Sequence, residues 1–167
     1  MKNVLKWALF SLLMFGCQGD DYYNLGVYEA KSENYEKSIY YFSKAIDENP
    51  NDNEAYFSRA YSQQKIGGKE RNVILDYSKS LELNPNDFEA HNNRGAAYMK
   101  IKDYKNALSD YEKTIELNPN YSLAFYNMGN LFVLINDKKN ACENYNKALE
   151  LGYKAEDIKL KIMANCK

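Results

Sequence analysis

Histidine occurs once, proline three times and glycine eight times in 167 residues, and 22 Lys and Arg are nearly cancelled by 23 Asp and Glu. Each scarcity excludes something. With His91 alone, a histidine-built metal site or a Ser-His or Cys-His catalytic pair has no second partner set. A net charge of −1 removes the electrostatic basis for non-specific nucleic-acid binding. The apolar run Trp7 to Phe15 is about half of the roughly 20 residues that a spanning helix needs. Gly67-Gly68 is a lone doublet without a preceding strand or a following Lys-Ser/Thr, so it is no phosphate loop, and no cofactor motif remains. Asp20-Asp21, Glu54 and Glu89 stand at expected helix starts, where carboxylates complement the helix dipole and need no catalytic role. What the chain has in quantity is aromatic: sixteen Tyr and seven Phe, a composition that favours helices packed through rings. Its length suits one core or one short repeat array.

Residues 1–16 differ from the rest. Lys2 and Lys6 precede the run Trp7 to Phe15, interrupted only by Ser11, which is the layout of an export signal. The run ends Leu13-Met14-Phe15-Gly16-Cys17. This resembles the lipobox of bacterial lipoproteins, and the resemblance implies cleavage before Cys17, acylation of that cysteine and a short lipidated linker over 17–21. The expected location is therefore the bacterial cell envelope, membrane-anchored, on the periplasmic or the surface side. A single acyl chain anchors only marginally, so firm attachment implies two or three.

All three prolines sit in one tripeptide, Asn49-Pro50-Asn51, Asn84-Pro85-Asn86 and Asn118-Pro119-Asn120, spaced by 35 and 34 residues. A fixed period of this size marks a stacked repeat array, and registering the chain on it gives units at about 19–52, 53–87, 88–121 and 122–153. The third unit carries Gly95, Tyr98, Tyr104, Ala107, Tyr111 and Pro119; the fourth carries Gly129, Phe132, Ala141, Tyr145 and Ala148; the first carries Leu25, Gly26, Tyr35, Phe42, Ala45 and Pro50. This pattern resembles the tetratricopeptide repeat. The second unit departs from it, with Ala60, Val73 and Ser80 at its small positions and an extra residue near Gly67-Gly68. The resemblance implies an all-α, right-handed α-solenoid of four helix pairs closed by a C-terminal capping helix.

The same pattern has a physical reading. Small residues such as Gly95 and Ala107 let antiparallel helices approach, and Tyr98, Tyr104 and Tyr111 fill the space between units. The Asn-Pro-Asn turns stop helices. Capping-box spacing at Asn51 to Glu54 and Asn86 to Glu89 starts them. Helices are expected near 21–32, 35–48, 53–66, 70–83, 87–100, 104–117, 121–134 and 138–151. Over 154–167, Ala155, Ile158, Ile162 and Cys166 share one face and Lys154, Lys159 and Lys161 the other, which predicts a capping helix with one packed and one solvated side.

Three sets of site residues follow. The resemblance implies a concave groove lined by Tyr23, Val27, Lys31, Phe57, Tyr61, Gln64, Lys65, Asn92, Ala96, Met99, Lys100, Tyr126, Asn130 and Val133. Its amides would pair with a peptide backbone and its rings would supply contact area. The family's carboxylate clamp needs Lys and Asn where the first unit has Tyr23 and Val27, so a chaperone-tail ligand is not expected. Arg59 with Asp76 and Arg94 with Asp110 occur together in the middle units and are replaced together, by Leu25 with Tyr41 and Met128 with Asn144, in the outer ones. That covariation predicts two inter-helix ion pairs. Cys142 and Cys166 remain once Cys17 is used for lipid; both lie about 15–17 Å from the turn near Gly152, which predicts a disulfide in an oxidising compartment. The implied function is a non-enzymatic scaffold for an unidentified protein or peptide, with no metal, cofactor or nucleic acid. The alternative is a structural subunit of an outer-membrane or secretion assembly, held by its convex face or ends.

Overall fold

The computed structural model describes residues 18–166. The stretch expected as an export signal, 1–16, and the expected acylation site, Cys17, lie outside the described residues. Among the described residues there are nine helices and no strand: α1 Gln18–Lys31, α2 Tyr35–Glu48, α3 Asn53–Lys65, α4 Glu70–Leu83, α5 Phe88–Lys100, α6 Tyr104–Leu117, α7 Ser122–Leu134, α8 Lys138–Glu150 and α9 Ala155–Asn165. None of them is long and apolar enough to cross a membrane.

The single core expected from chain length does not form. The chain divides into two compact units, one through Leu83 and one from Asn84. In the first, α1 pairs with α2 and α3 with α4, while α2 and α3 join the pairs; in the second, α5 pairs with α6 and α7 with α8, and α9 packs on α8. Within each unit the two repeats bury their faces against one another, so burial is distributed rather than gathered at one centre.

Close approach within a pair is set by glycine. A Cβ on Gly26 would lie 2.6 Å from the Phe42 ring, on Gly95 2.7 Å from Tyr111 and on Gly129 2.5 Å from Tyr145. The ring opposite each glycine is fully buried, and Ala45, Ala107, Ala141 and Ala148 lie in the same cores. The degenerate second repeat accommodates Ala60 beside a buried Tyr77.

Five helices start where expected, at Tyr35, Asn53, Glu70, Tyr104 and Lys138, but two N-caps lie one residue beyond the expected Asn51 and Asn86. The cap of α3 is Asp52, which accepts from the backbone N–H of Glu54 and Ala55 at 3.0 and 3.1 Å, and that of α5 is Asp87, which accepts from Ala90. Asn51 is instead held in the turn, donating its N–H to Asn49 Oδ1 at 3.2 Å. Asn120 does the same with Asn118. The turn inside each pair passes through a left-handed residue, Glu33, Gly67, Lys102 and Asn136, with φ between 60 and 69°. Gly67 meets this requirement without the Cβ strain the other three carry, and the extra residue of the second repeat follows it.

Candidate functional site

In the first unit, the face shared by α1, α2 and α3 encloses a pocket of about 320 Å³ lined by Val27, Ala30, Lys31, Tyr35, Phe42, Phe57, Ser58, Tyr61 and Ser62. Helical spacing brings these groups together: Val27 and Lys31 are one turn apart on α1, and Phe57 and Tyr61 one turn apart on α3. Phe42 forms the floor. The Ser62 hydroxyl is already engaged, 2.6 Å from Ser38 Oγ and 2.9 Å from the Ser58 carbonyl. Phe57 is held edge-on to Tyr77, with ring centroids 5.5 Å apart. At the rim, the Lys65 ammonium sits 5.0 Å over the Tyr61 ring, and the adjacent Tyr61 phenol raises its pKa. Four of the seven groove residues expected in this unit, Val27, Lys31, Phe57 and Tyr61, therefore line one open, aromatic recess.

The remaining three do not. Tyr23 is half-buried with its ring 5.6 Å from Phe42, and burial raises its phenol above the ordinary value. Gln64 spends its amide oxygen on the Tyr77 hydroxyl at 3.1 Å. Residues outside the expected set, Tyr35 above all, complete the recess. Tyr35 opens a second helix, and the signal for it was the aromatic shared by the first and third repeats at this position, Tyr35 and Tyr104.

The second unit corrects the expectation for the amides. Asn92 is 1% exposed; its Oδ1 accepts from Asn127 at 3.0 Å and its Nδ2 donates to Asn93 at 3.3 Å. Asn130 Oδ1 accepts from both the Tyr145 hydroxyl at 2.9 Å and Lys161 Nζ at 3.0 Å. Asn92 is therefore closed to a peptide backbone, and Asn130 has its amide oxygen doubly engaged. Tyr126 stacks on Tyr153 at 4.4 Å and Met99 packs against the Tyr111 cluster, while Val133 joins the cluster around Tyr145 and Ile158. Ala96 is half-buried and Lys100 is exposed. The capping helix is corrected as well: Lys161, expected in solvent, turns inward to Asn130, while Leu160 and Met163 are exposed. Ile158 is buried as expected; the side chain of Ala155 lies outside those described.

Both ion pairs are bidentate. Arg59 Nε and Nη2 donate to Asp76 at 2.8 and 2.7 Å, and Arg94 donates to Asp110 at the same distances. Gln63 adds a bond to Asp76, and His91 Nδ1 lies 3.0 Å from Asp110 while its Nε2 faces the Pro85 carbonyl at 3.1 Å. Both ring nitrogens of His91 thus face acceptors within the packed pair. Burial alone would raise the Asp110 carboxyl; the bonds from Arg94 and His91 outweigh it and hold the group below the usual carboxylate range. Cys142 and Cys166 are bonded, with Cα atoms 5.5 Å apart. Among the described residues no cluster of three or more His, Cys, Asp or Glu could hold a metal ion.

The fold recurs among solved structures. MamA 41-end from Desulfovibrio magneticus RS-1 superposes with a TM-score of 0.76 at 25% identity, covering 83% of this chain and 77% of its own. YrrB, described as a TPR protein with an unusual peptide-binding site, gives 0.77 at 23% identity, covering 89% and 75%. The first TPR of Spaghetti (RPAP3), bound to the HSP90 peptide SRMEEVD, gives 0.69 at 23% identity over 71% of this chain and 94% of that one. No curated protein matches the sequence. The tetratricopeptide repeat pattern itself matches residues 19–52, 88–121 and 123–151. These segments together span more than half of the 167 residues, and the chain belongs to the tetratricopeptide repeat family.

Proposed function

We propose that this protein is a non-enzymatic scaffold that holds a partner protein or peptide in the aromatic recess of its first unit, and that it is carried in the bacterial cell envelope as a lipoprotein anchored through Cys17. The recess between α1, α2 and α3 carries the reading: it is open, of about 320 Å³, and lined by four aromatic side chains together with Lys31, with Lys65 over the Tyr61 ring beside it. A pocket of that kind suits one bulky apolar side chain of an extended peptide, with carboxylates or backbone carbonyls meeting Lys31 and Lys65. The peptide ligands of YrrB and of the RPAP3 repeat support the class of partner. The junction Gly16-Cys17 supports the anchor.

Peptides selected from a displayed random library against the chain from residue 18 onward test the first half. Phe57→Ala with Tyr61→Ala should weaken a selected peptide by about 1–3 kcal/mol, as expected when central aromatic anchors are truncated, without changing the circular dichroism spectrum. Affinity unchanged in that variant would place binding elsewhere and favour the structural-subunit reading. For the anchor, Cys17→Ser should move the protein from the membrane fraction to the soluble one.

A further inference from the structure

Within each unit, three positions in the first helix of the second and of the fourth repeat face the repeat before it. In the second repeat they are Ala55, packed on Ala45 and Ile46 of α2; Arg59, whose Nη1 donates to Ser43 of α2 at 3.2 Å; and Ser62, 2.6 Å from Ser38 of α2. In the fourth they are Ala124, Met128 and Leu131, buried to 9% exposure or less, with Met128 and Leu131 against Ala107 and Tyr111 of α6. Among the described residues no helix precedes the first repeat. Its corresponding residues are Asp21, Leu25 and Tyr28, and they are open: Leu25 is 42% and Tyr28 66% exposed. Beside them a run of rings crosses to α2, with Tyr22 stacked on Tyr41 and Tyr41 edge-on to Tyr40, itself 58% exposed.

We propose that this stacking face of α1 rests on the phospholipid bilayer to which Cys17 is tethered. The inference rests on the lipoprotein reading above. It draws on two observations. First, α1 begins at Gln18, so residues 18–21, expected as part of a lipidated linker, are helical instead, and a lipid on Cys17 would hold the start of the helix at the bilayer. Leu25 and Tyr28 lie about 11 and 15 Å further along the helix axis at 1.5 Å per residue, a reach at which a helix beginning at the membrane surface can lie along it. Second, the chemistry suits an interface rather than a hydrocarbon core: tyrosine pairs an apolar ring with a hydroxyl that stays among headgroups, and leucine supplies the side chain that enters the acyl boundary.

The only tryptophan, Trp7, lies in the leader, so the mature protein has none and Tyr28→Trp introduces a single reporter. The acylated variant, purified from membranes and reconstituted into phosphatidylcholine vesicles, is compared with vesicles whose acyl chains are brominated near the headgroup. Bromine should quench the Tyr28→Trp emission about twofold or more, as for an interfacial helix, while Leu75→Trp, equally exposed on α4, keeps its intensity. Protein that floats with the vesicles but shows no quenching at position 28 overturns the proposal and leaves the anchor intact. A Tyr28→Trp emission already blue-shifted in Cys17→Ser protein without vesicles, together with a dimer in sedimentation, also overturns it and assigns the face to a second copy. Failure to float at all overturns the anchor and this inference with it.

Discussion

Removing Arg94 alone should destabilise the protein far more than removing Arg94 and Asp110 together. The Arg94 and Asp110 side chains are 19% and 6% exposed and joined by two bonds of 2.7 and 2.8 Å. Arg94→Met strands a buried carboxylate with His91 as its remaining side-chain partner at 3.0 Å, and an uncompensated buried charge costs about 3–5 kcal/mol. The double variant, Arg94→Met with Asp110→Asn, installs the pair that the fourth repeat already uses, Met128 with Asn144. Replacing a buried pair by neutral groups is often close to neutral, so its cost should stay below about 1.5 kcal/mol, with a coupling energy of about 2 kcal/mol or more. Urea unfolding followed by circular dichroism measures both, provided the denaturant slope is unchanged. Acid adds a second readout. Because the folded-state pKa of Asp110 is lowered, its contribution is present above the unfolded value of about 3.9 and is lost as pH falls through the folded value. Asp110→Asn should therefore flatten the loss of stability below about pH 4. A cost under about 1 kcal/mol for Arg94→Met, or equal costs for the single and double variants, would refute the argument.

Gly129→Ala should lower the melting temperature, at about 1–3 kcal/mol for an overpacked contact, because the new methyl would sit 2.5 Å from the Tyr145 ring; Tyr145→Leu in the same chain should restore part of it. Reducing Cys142–Cys166, separated by 24 residues, should cost about 3.5 kcal/mol in the chain-entropy model and raise hydrogen exchange in α9 before any change in α1 to α4. Tyr145 is pushed up to about 12 by burial and by Tyr126, so its contribution is intact below the unfolded value near 10 and is lost as pH rises through the folded one. Spectrophotometric titration should show it ionising late, and early ionisation would contradict the packing described.

The helices were legible because their punctuation is chemical: a proline every 34 or 35 residues stops a helix in any tertiary setting. The caps were displaced for an equally local reason, since Asn51 is bound into the proline turn through Asn49 and leaves Asp52 free to accept. Covariation gave the ion pairs, and a fixed rise per residue brought Cys142 level with Cys166. The groove was legible only in part. A repeat position says which face a side chain occupies but not what stands at the same level on the next helix. Asn92 has the right position, yet Asn127 reaches it first, and Asn130 is shared between Tyr145 and Lys161. Helical periodicity likewise assigned Lys161 to the outer face, because a period cannot tell open solvent from a flank that borders a recess.

The outer repeats do without the buried ion pair because each has another means of fixing how its two helices sit. A bidentate guanidinium and carboxylate are both satisfied in one register only, so in the middle repeats the pair couples that register to the cost of an unpaired charge. In the fourth repeat Met128 joins the apolar cluster of Ala107, Tyr111 and Leu131, and the Cys142–Cys166 bond ties α8 to α9 covalently. In the first, Tyr41 stacks on Tyr22 and Gly26 lets Phe42 close against α1. Leu25, unlike Arg59, then has no charge to bury. The same substitution that removes a costly buried charge also leaves an apolar side chain outward on α1, the helix that, on the proposal that Cys17 is acylated, would meet lipid.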